Sequence, residues 1–149
     1  MSFIANILGA EALTTVYTSA KYTVGSRVRD NVGDEYIFLA GVASTGAGTW
    51  VIFDELGVTT RLVAGGIGPV AIAQAATIAS TWGWYKIFGT TLGNVSTGFA
   101  DNGLLYATAT AGEADDEAVS GDRITNSLGR SAISSGQATV QLNYPYMAD

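Results

Sequence analysis

The amino-acid sequence predicts an all-β protein, a small antiparallel β-sandwich or barrel with a short helical or extended N-terminal arm. Its 149 residues include 19 glycines and 2 prolines, and alanine, serine and threonine are abundant, which is typical of many short strands joined by tight turns. Near the C-terminus, Ala138, Val140 and Leu142 alternate with polar residues, which is the period of a half-buried strand. A chain of this length is expected to form a single domain, residues 1–149, with a substantial core.

The N-terminal segment, residues 2–13, contains the one stretch with helical spacing. Its apolar stripe consists of Phe3, Ile4, Ile7 and Leu8, which fall on one side of a helix. Two interpretations remain open for residues 1–13. The segment packs on its own domain as a short helix, or it is an arm that docks on a neighbouring subunit, since chain termini are otherwise loosely held.

Strand patterns begin after Tyr22. Residues 27–29 and 35–39 flank a turn-rich pentapeptide in which Gly33 is placed to take a positive φ, and this arrangement predicts a β-hairpin. Residues 50–53 form a short hydrophobic strand and residues 59–63 a further strand.

The stretch from residue 67 to residue 88 lies within the longest run without an acidic residue, residues 56–100, and Lys86 is the only charge of the stretch. Residues 70–73 are a near-continuous apolar run, typical of a fully buried strand. Residues 82–88 are aromatic and β-branched, which predicts another strand. Between them, residues 74–81 are small and polar and suit a wide bend or a short helical turn, so helix is expected only near residues 2–13 or 74–80.

The second half of the chain has weaker patterns. Residues 90–103 are rich in threonine, glycine and asparagine and predict a long loop or an irregular hairpin, followed by a short strand at residues 104–106. An acidic turn at residues 112–121 precedes another strand at residues 122–126 and a serine- and glycine-rich loop up to residue 136. After the strand at residues 138–142, residues 144–149 are expected to form an extended tail, because Pro145 disfavours helix at Tyr144.

The charge pattern excludes several classes of partner. A net charge of −6 with seven scattered basic residues argues against nucleic acid, which requires clustered lysine and arginine. No uninterrupted apolar run of about 18 residues predicts a membrane-spanning helix, and the N-terminus lacks a signal-peptide pattern. Charged residues make up only 13% of the chain, about half the usual share. We therefore expect a protein made in a cytoplasm, with part of its surface covered by partners.

The chemistry-bearing residue types are sparse. The chain has no histidine and no cysteine, which are the commonest general base, nucleophile and zinc ligands. Neither Lys21 nor Lys86 lies in a serine–lysine catalytic motif. The sequence therefore predicts a protein that is not an enzyme and that has no cofactor and no metal site.

The densest acidic cluster comprises Glu113, Asp115, Asp116 and Glu117. Oxygen-rich loops of this kind bind calcium in some proteins, but the spacing does not match an EF-hand loop. A solvated turn is the favoured interpretation, since runs of like charge are usually exposed. The glycine-rich residues 65–68 are followed by Pro69 and a β-type run, so they do not predict a dinucleotide site, which requires a helix at that point.

The aromatic residues of the central stretch leave three alternatives open. On a strand, Trp82 and Trp84 share one face and Tyr85 lies on the other. Two exposed indoles would stack on sugar rings, or they would anchor a protein interface, where tryptophan and tyrosine are enriched. Ordinary packing in the core is the third interpretation.

Several segments resemble the small head decoration (cement) proteins of tailed bacteriophages. The segments are VGSRVRDNVGDEYIFLAGV, GTWVIFDELGVTTRLV, IGPVAIAQAA, GWYKIFG and the C-terminal ATVQLNYPY. The resemblance implies a non-enzymatic, β-rich virion protein that binds the outer surface of an assembled capsid, commonly as a trimer. Such a protein stabilises the shell by clamping neighbouring major capsid subunits. The alternative is a carbohydrate- or receptor-binding module of a head or tail fibre.

These expectations define a predicted interface and its partners. The partners are the major capsid protein and further copies of the chain, and the location is the outer surface of a virion assembled in the host cytoplasm. The predicted interface consists of Phe3, Ile4, Ile7, Leu8, Trp50, Trp82, Trp84, Tyr85, Tyr144 and Tyr146.

Overall fold

The computed structural model describes residues 12–148, which form ten β-strands and no helix. The strands are β1 Arg27–Arg29, β2 Glu35–Ala40, β3 Trp50–Phe53, β4 Thr59–Arg61, β5 Gly68–Ala73, β6 Trp82–Asn94, β7 Leu104–Ala107, β8 Ala114–Asp115, β9 Arg123–Gly129 and β10 Gln137–Met147. Every pair of neighbouring strands is antiparallel. The prediction of an all-β fold is confirmed.

The strands form one open sheet that forks into two layers. Its order is β1-β2-β6-β5-β10-β9-β7-β8, and β3 joins β5 to β4. The first part of β6 pairs with β2 and β5, whereas residues 88–94 pair with β10. Because β10 also pairs with the start of β5, these three strands meet at a junction. The first layer is β1 to β6, and the second is β7 to β10 with the end of β6.

Three hydrophobic cores stabilise this arrangement. The largest lies between the layers, where Trp50 and Ile72 of the first layer share a core with Leu105, Ile124 and Leu142 of the second. The second core lies on the other face of the first layer and comprises Ile37, Leu39, Val51, Phe53, Ala71, Ala73, Tyr85 and Ile87. The third is aromatic and lies where residues 13–24 cover β2 and β6.

The first layer curls around the second core. At its end, the Ala40 N–H donates to the carbonyl of Gly57 (3.1 Å), and the Thr59 hydroxyl donates to the carbonyl of Ala40 (2.7 Å). These bonds hold the hairpin of β3 and β4 against the end of β2. The hairpin is therefore held on one side by the pairing of β3 with β5 and on the other by the end of β2.

The predicted hairpin of β1 and β2 is present, with Gly33 at φ +92°. Asp30 organises its turn, because one carboxylate oxygen accepts hydrogen bonds from the N–H groups of Val32 and Asp34, both at 3.0 Å. Of the two alternatives predicted for residues 74–81, a wide bend and a short helical turn, the structure has the bend, since residues 74–80 contain a bend and a turn and no helix. The helix expected near residues 2–13 falls almost entirely outside the described residues.

The prediction for residues 90–103 is wrong in its first part. Residues 90–94 are the end of the long strand β6 and pair with β10. Threonine and glycine weaken a strand signal, but the pairing with β10 overrides that local preference. Gly93 has a packing role: a Cβ at this position would lie 2.9 Å from Nε1 of Trp50. The glycine therefore allows the buried indole to pack against β6.

The long β10 corrects the tail predicted at residues 144–149. Residues up to Met147 are strand, with a bulge at Tyr144, whose φ is +53°. Tyr146 pairs with Pro69 of β5 and with Thr125 of β9, and Met147 is only 1% exposed. The segment is extended as predicted, but its backbone belongs to the sheet of its own chain.

Candidate interaction surface

The structure removes three residues from the predicted interface. Trp50, Trp84 and Tyr85 are 0%, 1% and 0% exposed. Each belongs to a core of its own chain, so it has no surface to offer a partner. Phe3, Ile4, Ile7 and Leu8 lie outside the described residues.

Trp82 and Trp84 lie on one face of β6 and Tyr85 on the other, as the strand pattern predicted. Residues 13–24 cover that face, with the ring of Tyr22 5.5 Å from that of Trp84. Tyr17 forms two backbone hydrogen bonds with Trp82, both at 2.9 Å. Only Trp82 keeps partial exposure, so the pair of exposed indoles on which the sugar-binding interpretation depended is not formed.

Tyr144 and Tyr146 are exposed, at 40% and 42%. The Tyr144 ring packs against that of Phe88, with centroids 5.4 Å apart. Its hydroxyl donates a hydrogen bond to the Glu35 carboxylate. This bond to an anion raises the pKa of Tyr144 above 10.0, because it stabilises the protonated phenol.

A basic edge adjoins these tyrosines. Arg29 contacts Glu35 at 3.1 Å and Arg27 contacts it at 3.9 Å. The side chains of Arg27 and Arg29 are 54% and 59% exposed, so the ion pairs contribute little to stability. The two arginines share one carboxylate, and they are the only exposed charged side chains of residues 27–35.

Between the basic edge and the tyrosines lies a small depression, which we call the hollow. Its volume is about 90 Å³. Its walls are almost entirely apolar or aromatic, and only Arg27 contributes a charge. The lining residues are Arg27, Phe53, Pro69, Val70, Ile87, Tyr144, Pro145 and Tyr146.

A larger groove of about 580 Å³ continues from the hollow and shares Phe53 and Pro69 with it. Its apolar walls include Ile52, Val58 and Ile67, of which Val58 and Ile67 are 53% and 62% exposed. Asp54 and Glu55 also line the groove. Hollow and groove together form a largely apolar surface, with Arg27 beside the hollow and the two carboxylates in the groove.

Sequence reasoning missed Leu56, Val58 and Ile67, the apolar residues beside the groove. They lie in the glycine-containing connections between β3 and β4 and between β4 and β5, outside any strand or helix period. Large aliphatic residues inside a glycine-rich turn are the signal that marks them. These side chains stay exposed because the connections hold them away from the three hydrophobic cores.

The ammonium group of the buried Lys86 is compensated by three groups of its own chain. Its ammonium donates to an Asp34 carboxylate oxygen at 2.8 Å and to the Thr90 carbonyl at 2.9 Å. It also lies 5.0 Å from the centre of the Tyr36 ring. Ion pair, carbonyl and aromatic face together compensate a charge that is only 7% exposed.

The acidic cluster does not converge on one point. The Asp116 carboxylate accepts a hydrogen bond from the Ala100 N–H (2.9 Å), and that of Asp115 accepts one from the Asp116 N–H (2.8 Å). Within residues 12–148, no three acidic side chains are placed to hold one metal ion.

Among the described residues, 12–148, no helix is long and apolar enough to cross a membrane.

No protein family model, curated protein or solved structure matches this chain. The resemblance to phage decoration proteins therefore rests on the sequence segments alone. What the structure adds is an all-β fold and an exposed apolar surface that includes charged residues.

Proposed function

We propose that this chain is a non-enzymatic structural protein of a tailed-phage virion. It binds the outer surface of the assembled capsid as a homo-oligomer, by the resemblance a trimer, and clamps neighbouring major capsid subunits. The sequence resemblance supplies the class of partner. No cofactor and no nucleic acid take part.

The observation that carries the proposal is the apolar groove beside β3 and β5. Val58 and Ile67 are more than half exposed beside the half-buried Ile52, although the chain has three well-packed cores to bury such side chains. Contiguous exposed apolar surface with a polar rim is typical of protein–protein interaction sites. The groove is therefore the surface that we assign to the capsid.

The stabilising mechanism follows from mass action. A protein that binds the assembled shell and not the free subunits shifts the equilibrium towards the shell. At a free concentration 100 times the dissociation constant, each occupied site contributes about 2.7 kcal/mol. A rigid sheet suits this role, because little conformational entropy is lost on binding.

Co-sedimentation with purified capsids of the encoding phage tests the proposal. We expect the chain to pellet with assembled capsids, to remain in solution with free capsid subunits, and to raise the temperature at which the capsids break. Ile67→Glu should weaken capsid binding at least about tenfold, because it places a charge in the apolar groove. Val119→Glu is the control, since Val119 is 46% exposed and does not line the groove. Absence of capsid binding would refute the proposed function.

The N-terminal arm remains a prediction for the same function. Deleting residues 1–8 should weaken capsid or subunit binding while the β-domain stays folded. If the shortened chain unfolds, the segment belongs to its own core. If both folding and binding are unchanged, the arm has no part in the interface.

A further inference from the structure

We propose that a second copy of this chain occupies the hollow, by inserting Leu56 from the tip of its hairpin of β3 and β4. The tip comprises residues 54–58. The inference deepens the homo-oligomer of the proposed function by naming the two surfaces that meet. Three features of the described residues carry it: an exposed and rigid knob, an apolar hole, and complementary charges beside each.

The knob is Leu56, which at 74% is the most exposed large hydrophobic side chain among residues 12–148. One oxygen of the Asp54 carboxylate accepts hydrogen bonds from the N–H groups of Leu56 and Val58, both at 2.9 Å. The Gly57 N–H donates to the Asp54 carbonyl at 3.0 Å, and Gly57 takes a φ of +74°. The tip is held in one conformation before binding, so little entropy is lost when Leu56 docks.

The apolar hole that receives Leu56 is the hollow, which Tyr144, Pro145 and Tyr146 line on one side. Its volume of about 90 Å³ is well below the roughly 300–1,000 Å³ of small-molecule sites, and it suits one aliphatic side chain. Its walls are rigid, because Phe53 and Ile87 belong to the second core and the backbone of Tyr146 is paired on both sides. Leu56 does not line the hollow of its own chain.

The charges beside knob and hole are complementary. The tip carries the exposed carboxylates of Asp54 and Glu55. The rim of the hollow carries Arg27 and, beyond it, Arg29, which share the single carboxylate of Glu35. Insertion of Leu56 brings the acidic tip of one copy to the basic edge of the next, and this pairing selects a second copy over an uncharged apolar segment.

The knob and the hole are different surfaces of the chain, so the contact is head-to-tail. A contact of this kind forms a closed ring when the rotation between copies divides a full turn, and an open filament otherwise. Because the proposed function requires a homo-oligomer of fixed size, the assembly that we propose is the closed ring. Each copy contributes one tip and one hollow.

Light scattering on size-separated protein, over a range of concentrations, tests the inference. The unaltered chain should give a discrete oligomer that dissociates on dilution. Leu56→Glu should raise the dissociation constant at least about tenfold, which is about 1.4 kcal/mol at 25 °C. Leu92→Glu is the matched control, because Leu92 is also exposed (54%) but lies on β6 away from knob and hole, and it should leave the oligomer intact.

A charge exchange tests the register of the contact. Arg27→Glu and Glu55→Lys should each weaken association, because each brings like charges together at the tip, and the double variant should recover most of the loss. Circular dichroism confirms that each variant is folded. A chain that is monomeric at all concentrations, an oligomer unaffected by Leu56→Glu, or a double variant weaker than both single variants would overturn the inference.

The self-association experiment and the capsid experiment can fail independently. A chain that forms the oligomer through Leu56 but does not bind capsids would refute the proposed function and leave the self-contact standing. A monomer that binds capsids would refute the self-contact and the homo-oligomeric state, and would leave capsid binding itself standing.

Discussion

Lys86 is the residue whose environment most constrains the first layer. Its ammonium is almost fully buried, and its ion pair with Asp34 joins β6 to the turn between β1 and β2. Removing one partner of a buried pair leaves an uncompensated charge and costs far more than replacing both. The pair therefore fixes the position of the turn more than it adds net stability.

Asp34→Ala is expected to lower the free energy of unfolding by about 3 kcal/mol, because it leaves the Lys86 ammonium without its carboxylate. The double variant Asp34→Ala with Lys86→Met should recover most of that loss, since it removes both charges. Urea denaturation measures both values. Equal losses in the single and double variants would show that the charge of Lys86 is not what makes the single change costly.

Tyr85 gives a pH dependence. Burial raises its pKa above 10.0, although the hydrogen bond with Thr77, at 2.6 Å, opposes the shift. Because the raised value belongs to the folded state, the unfolded chain loses this proton first as the pH rises. The stability from Tyr85 is therefore complete below about pH 10, and it is lost as the pH rises from there through the folded-state pKa.

Urea denaturation between pH 8 and pH 11 checks this expectation against Tyr85→Phe. At pH 8 the variant should be less stable by about 1 kcal/mol, because it lacks the hydrogen bond to Thr77. Above pH 10 the difference should narrow, since only the unaltered protein loses the contribution of Tyr85. A difference that stays constant across the range would contradict the assignment.

Among the strands, β10 holds the two layers together. It pairs with β9 on one side and with β6 and then β5 on the other. The bulge at Tyr144 turns its last residues from β6 to β5, and Met147 enters the largest core. The C-terminal strand is thus an integral part of the sheet and of the core.

Met147→Ala is expected to lower the free energy of unfolding by about 3 kcal/mol, the usual cost of truncating a buried methionine. Met147→Leu keeps the volume and should cost less than about 1.5 kcal/mol. Denaturant titration of the two variants gives the comparison. Nearly equal, small losses would show that the C-terminal residues are a loose tail.

The two layers share the largest core, so we expect them to unfold as one unit. All three tryptophans lie in the first layer, on β3 and β6. Tryptophan fluorescence therefore follows that layer, whereas far-ultraviolet circular dichroism follows both. A cooperative molecule gives coincident transitions by the two measurements.

Ile124→Ala places a cavity on β9 in the second layer, where Ile124 is 0% exposed. It should destabilise the protein by about 3 kcal/mol and lower the fluorescence midpoint as much as the dichroism midpoint. Both chains carry Leu56→Glu and are measured at low concentration, because the proposed self-contact would otherwise link unfolding to dissociation. A fluorescence midpoint that does not move would mean that the layers unfold independently.

The sequence alone determined the fold class and most strand positions. Short-range patterns sufficed for the hairpin around Gly33, for the strand at residues 50–53 and for the alternation of Ala138, Val140 and Leu142, because these signals depend on the residues themselves and their neighbours. They also placed Trp82 and Trp84 on one face, since side chains alternate along any strand.

Only the tertiary structure decided what each face meets. Trp50, Trp84 and Tyr85 suited core and interface equally by residue type, and burial by distant segments placed them in the core. The strand at residues 90–94 and the pairing of Tyr146 depend on backbone hydrogen bonds to residues far away in the chain. The exposure of Leu56 has the same origin, because which apolar side chains remain outside depends on where all the others pack.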